Sequence, residues 1–275
     1  MVREEKEDEG RPLCRLVPEC MGRHELMHCA VFKRIPAEHR RVIAVSKEIC
    51  RAHLSHSSTD SSWEGECSRR RDHPLLEDDI HSASALKAVE LPKMGHKPGR
   101  FVYECRLKVK VRPPPEANPG PPIAELMTLF DGRQRQTAIR TEGADKLALS
   151  HTKVVPTAVR LRDGSERMST RLYFLWNPGK NGANLITAFG LDSVAPPCKG
   201  APPLDLPRFR FDCRPNSRKA ELAQPKGETD LIIGADYVGY LPKYVDISRF
   251  PGDDLILMRT PLEPGELVFG EATAD

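Results

Sequence analysis

The stretch LMTLFDGRQRQTAI, Leu126 to Ile139, decides how the whole chain is read. An apolar run climbs to a single acid, Asp131, breaks at Gly132 and turns at once to charge. Two readings fit this stretch taken alone. Asp-Gly is among the commonest hairpin signals, which makes Asp131 a plain turn residue between two strands. The alternative is an acid set deliberately at the end of a buried strand, in a tight turn, for chemistry.

Working outward, short strand signals separated by turns run from Arg100 onward. RFVYECRLKVKV, residues 100–111, alternates with a period of two and one slip near Glu104 and Cys105. RPPPEANPGPP, 112–122, is a loop that cannot pair in a sheet. IAELMTLF reads as a buried strand, TEGADKLAL as a short helix, and VVPTAVRLRDGSERMSTRLYFLW as a hairpin around Asp163-Gly164. LITAFGLDSV, RFRFDC, TDLIIGADYVGYLP and DDLILMRTPLEPGELVFG supply further strands. Many short strands and few helices predict a mainly β domain over 100–272.

The remainder differs in kind. Residues 1–10 are acidic and read as a disordered terminus. Residues 11–81 are rich in Cys, His and Arg, with a short helix predicted in IPAEHRRVIAVSKEIC on the apolar positions Ile43, Val45 and Ile49. Residues 82–99 read as a linker of mixed charge. Of eight cysteines, Cys14, Cys20, Cys29, Cys50 and Cys67 fall in the first quarter. No secretory leader or membrane-length apolar run is visible, so an intracellular, cytoplasmic protein is expected, and cysteines interspersed with histidine point to metal rather than disulfides. A net charge of +3 is too small to argue for nucleic acid by itself.

An aspartic peptidase needs two carboxylates close enough to share one proton, one acting as base on water and the other as acid. A chain that supplies one acid must dimerise to bring in the second. Here Asp131 follows LMTLF, and DLIIGAD later brings an apolar strand, Ile232 and Ile233, to Gly234. With ANLITAFGLDSVAP and GDDLILMRTPLEPGELVFG in the same order, residues 100–272 resemble the retroviral-type aspartic proteases of Pao/BEL-type retrotransposons. The resemblance implies a retropepsin-like closed β-barrel, Asp131 as the catalytic acid, peptide-bond hydrolysis across a homodimer, and a peptide as substrate. The family follows its acid with a small hydroxylic residue and then glycine. Here Asp131 is followed by Gly132, Arg133 and Gln134. Aligned without gaps, the brace between the two loops is missing and Arg133 stands at the glycine position, while a shift of one residue restores Gly132 as the glycine but deletes the hydroxylic residue. Cations at Arg133 and Arg135 would favour both acids ionised, which is wrong for a shared proton. The expected outcome is an impaired peptidase.

The Cys/His region resembles the zinc knuckles of the same polyproteins. Cys20, His24 and Cys29 have the spacing of the last three ligands of a Cys-Cys-His-Cys knuckle, while Val17 stands at the first, for which Cys14 is the substitute. Cys50, His53 and His56 resemble the start of a second, and CSRRRDHPLLEDDIH a final block that has lost most of its ligands. The resemblance implies zinc there, and RNA as a partner through the basic clusters FKRIPAEHRR and SRRRDH. The rival reading is a non-catalytic zinc-, RNA- or peptide-binding module, or a decayed fragment.

Overall fold

The computed structural model describes residues 20, 24–55, 71–76, 100–112, 124–179, 182–201, 224, 226–247, 254–263 and 265–273. The acidic start, Cys14, His56, Cys67, the 82–99 linker, most of the proline-rich loop and the RFRFDC segment lie outside them.

Eleven strands are described: β1 (Arg100–Tyr103), β2 (Arg106–Val111), β3 (Ala124–Phe130), β4 (Ala138–Arg140), β5 (His151–Arg160), β6 (Glu166–Gly179), β7 (Gly182–Leu191), β8 (Leu231–Ile233), β9 (Lys243–Ile247), β10 (Asp254–Arg259) and β11 (Glu266–Thr273). Three α-helices accompany them: α1 (Ala30–Arg34), α2 (Ala37–Ser46) and α3 (Thr141–Lys146). A seven-stranded mixed sheet runs β2-β3-β8-β4-β7-β6-β5, and a four-stranded sheet runs β1-β11-β10-β9. The mainly β expectation holds.

The closed barrel does not. Among the described residues the strands form two open sheets, and their physical division is the slip already visible in the sequence. At Glu104 and Cys105 the chain leaves β1, which pairs with β11, and enters β2, which pairs with β3. One isolated bridge, Arg112 to Trp176, brings the end of β2 to β6, but no continuous ladder closes there.

The large sheet is buried on both faces, which explains why its central strands are apolar runs rather than alternations. Along β6, Leu172, Phe174 and Trp176 enter one core, while Tyr173 and Leu175 enter the other. Across β8, Ile232 faces the first core, and Leu231 and Ile233 the second. The second core is completed by Leu262, and by Leu267 and Phe269 of the small sheet. The first is covered by the N-terminal segment: Leu26, Phe32, Ile35, Ile43, Leu54 and Leu76 pack on it. Pro36 stands at the N-cap of α2, the last position before the helix proper. Its buried residues are His39, Ile43 and Ala44; Val45, expected on the apolar face, is 42% exposed.

Candidate functional site

β3 and β8 run parallel in the middle of the large sheet, with Phe130 opposite Ile233. Both strands end at the same level, so the residues that follow, Asp131 and Gly234, emerge side by side. The Asp131 N–H donates to Ile233 O at 3.1 Å and ties the acid to the strand that ends in glycine. β8 is antiparallel to β4 on its other side, which wedges it between the two ends of the acid loop.

Within the loop, Gln134 N donates to Asp131 O (3.0 Å), closing a turn, and Arg133 N donates to Asp131 Oδ1 (3.0 Å). Neither Gly132 nor Arg133 takes a left-handed backbone, so Arg133 fits this turn without the strain that would demand glycine. Glycine is needed instead at position 234. An added Cβ there would lie 2.7 Å from Gln134 O and 3.0 Å from the carbonyl carbon of Gln136. Ala235 N donates to Gln134 O and Asp236 N to Arg135 O, at 2.7 and 3.1 Å, so the two segments lie backbone against backbone.

Asp131 is almost wholly buried, with 9% exposure. The cation that faces its carboxylate comes from the tip of the β5–β6 hairpin. Arg162 Nε lies 3.4 Å from Asp131 Oδ2, an ion-pair distance whose geometry is not that of a hydrogen bond and leaves Oδ2 without a donor. A second tie fastens the tip: Gln134 Nε2 donates to Arg160 O at 2.8 Å. Arg135, in contrast, turns to Glu38 at 3.3 Å. Beneath the loop, burial first, and then the charges of Asp131 and Glu104, push the Cys105 thiol up to about 12, with Arg162 acting in the opposite sense. A neutral, buried thiol adds no nucleophile to the site.

The far end of the loop is held by a buried polar network that sequence reasoning missed. Thr137 donates its N–H and its hydroxyl to the two oxygens of Asp236 (2.8 and 2.6 Å), and Gly234 N donates to Thr137 Oγ1 at 3.0 Å. His39 of α2, fully buried, faces Asp236 Oδ2 with Nε2 at 3.2 Å, a close contact off the line of a good hydrogen bond. Its Nδ1 meets Thr187 Oγ1 at 2.7 Å, and Thr187 is joined to the hydroxyl of Tyr237, whose pKa burial raises. Placing the ring proton on Nε2, toward the carboxylate, lets Thr187 donate to Nδ1 and Tyr237 donate to Thr187. Glu38, beside His39, accepts from Gln136 Nε2 at 2.6 Å. The only sequence signal was a polar pair, Glu38-His39, opening a helix of weak apolar periodicity.

Of the metal-site expectations, Cys20, His24 and Cys29 do come together. Cys20 Sγ lies 3.2 Å from His24 Nε2 and 3.5 Å from Cys29 Sγ, and the three ligand atoms lie within 4.8 Å of one another. A tetrahedral zinc site with bonds near 2.0–2.3 Å has edges of about 3.5–3.8 Å, so the cluster could hold a metal ion. Cys29 also caps α1, its Sγ accepting from Phe32 N at 3.3 Å. Cys50 Sγ faces His53 Nδ1 at 3.5 Å. His73 donates its backbone N–H to Arg51 O at 2.7 Å, and its pKa is lowered by burial first and by His53 second; among the described residues these groups do not gather into a metal-holding cluster.

Among the described residues no helix is long and apolar enough to cross a membrane. Searches of family models, curated proteins and solved structures return no match for the chain.

Proposed function

We propose that this chain is a retroelement-derived, aspartic-peptidase-like protein whose ancestral reaction, peptide hydrolysis by paired Asp131 carboxylates across a homodimer, is impaired. The observation that carries the reading is the parallel β3–β8 pair, which sets Asp131 beside Gly234 at the end of two buried strands. That is the placement a proton-sharing acid requires: rigid, largely dehydrated and on a short backbone turn.

Impairment follows from the charges around it. A working dyad holds one proton between two acids, which needs a neighbour that disfavours the second negative charge. Arg162 does the opposite, setting a guanidinium 3.4 Å from Asp131 Oδ2, where a dyad would set its second acid. Gly132 offers no hydroxyl to brace a partner loop.

The test is cleavage of a peptide library by the purified chain, by Asp131→Asn and by a variant in which Arg162→Gln is combined with Gly132→Ser and Arg133→Gly. The wild type should cleave feebly or not at all, and the combined variant should gain pepstatin-sensitive, acid-favoured activity that Asp131→Asn removes. A silent combined variant that sediments as a dimer would remove the peptidase reading.

A second reading, a zinc-holding module that binds RNA or peptide, is favoured by one observation, the convergence of Cys20, His24 and Cys29. It requires near-stoichiometric zinc and salt-sensitive RNA retention.

A further inference from the structure

We infer that the Cys20–His24–Cys29 cluster and the acid loop are thermodynamically linked, so that a thiophilic divalent cation bound at the cluster orders residues 131–137, with Glu38 and His39 as the transmitting residues. This rests on the reading of the three residues as metal ligands. Cys29 belongs to the cluster and also forms the N-cap of α1, a helix of five residues that is too short to hold itself. Metal on its sulfur would hold that cap in place, where it accepts from Phe32 N–H at 3.3 Å. Phe32 and Ile35, both fully buried, then set the angle at which the chain passes Pro36 into α2. The first turn of α2 delivers Glu38 to Arg135 and Gln136, and His39 to Asp236 and Thr187. Asp236 in turn grips Thr137, the last residue of the loop. The links run through contacts or adjacent chain, and the metal would stabilise residues 24–39 in the folded form alone. Whatever that segment holds in place gains protection with it.

The experiment follows hydrogen exchange in the full chain, metal-free and zinc-loaded, with cobalt as a spectroscopic reporter of thiolate ligation. Zinc should slow exchange about tenfold across residues 131–137 as well as 26–46. Glu38→Gln, which leaves the core intact, and His39→Gln should keep the cobalt thiolate band and the protection of 26–35. In both, the gain at 131–137 should be lost. Protection at 131–137 unchanged by zinc in the wild type, despite a cobalt thiolate band, would overturn the linkage while leaving the metal site standing. Undiminished transmission in both variants would overturn the assigned route. Absence of the cobalt band would remove the ligand reading and the linkage together.

Discussion

Gly234 is where two backbones meet, and its role is set by distance rather than by φ. With Gln134 O only 2.7 Å from where a Cβ would sit, Gly234→Ala must push the acid loop away from β8. We expect a loss of about 1–3 kcal/mol, typical of overpacking, read as a lower urea midpoint with unchanged slope. An unaltered midpoint would mean the loops are farther apart than described. Asp163, at the hairpin tip, is a second residue with a defined outcome. Its carboxyl is held below the usual range, chiefly by the Ser165 hydroxyl and then by the Ser165 N–H. A carboxyl with a lowered folded value contributes its stability above the ordinary pKa of about 4 and loses it as pH falls through the folded value. The protection of the Ser165 amide, taken relative to its intrinsic exchange rate at each pH, should therefore fall on acidification below about pH 4, and Asp163→Asn should flatten that dependence. The group is fully exposed, so the effect belongs to the turn and not to global stability.

Among the elements, the helices α2 and α3 end in the same way and at the same cost. Ile49 N donates to Ala44 O, and Leu149 N to Ala144 O, each bond spanning a residue with positive φ, Glu48 at 53° and Ala148 at 50°. That closure normally falls to glycine. Ala148→Gly and Glu48→Gly should each stabilise the fold by about 0.5–1 kcal/mol, the left-handed penalty relieved less the entropy of the freer residue, as a rise in melting temperature. A fall in either would show that the side chain contributes more than its backbone costs. These closures left no trace in the sequence, because neither position carries the glycine that would have marked it. The β5–β6 hairpin was legible from Asp163-Gly164, and β3, β8 and the acid between them from their apolar runs. What stayed hidden was long-range: Arg162 over Asp131, and His39 buried in a helix whose apolar period suggested Ile43, Val45 and Ile49 instead. A buried histidine depends on partners such as Asp236 and Thr187, which no local pattern in α2 contains. The split of 100–111 between two sheets was visible only as a slip in alternation.

At the scale of the molecule, the N-terminal segment and the large sheet share one core. Phe32, Ile35, Ile43, Leu54 and Leu76 are all at most 1% exposed against it. Burial of five such side chains contributes on the order of 10 kcal/mol, which is comparable to the whole stability of a typical domain. Removing residues 1–81 should therefore abolish cooperative unfolding of the remainder and raise binding of a hydrophobic dye, both measurable by thermal scan. A truncated chain that melts sharply would show that the sheet stands without its cover. The interleaving of β8 carries a consequence for the order of assembly. That strand is made about 100 residues after β3, yet it occupies the place between β3 and β4. A chain emerging from the ribosome at roughly 5–20 residues per second must hold an open slot for several seconds, with two strand edges unpaired. Until Leu231–Ile233 arrives, Asp131 has no strand to lean on, and the nascent sheet is most exposed to aggregation at the place where its acid will finally sit.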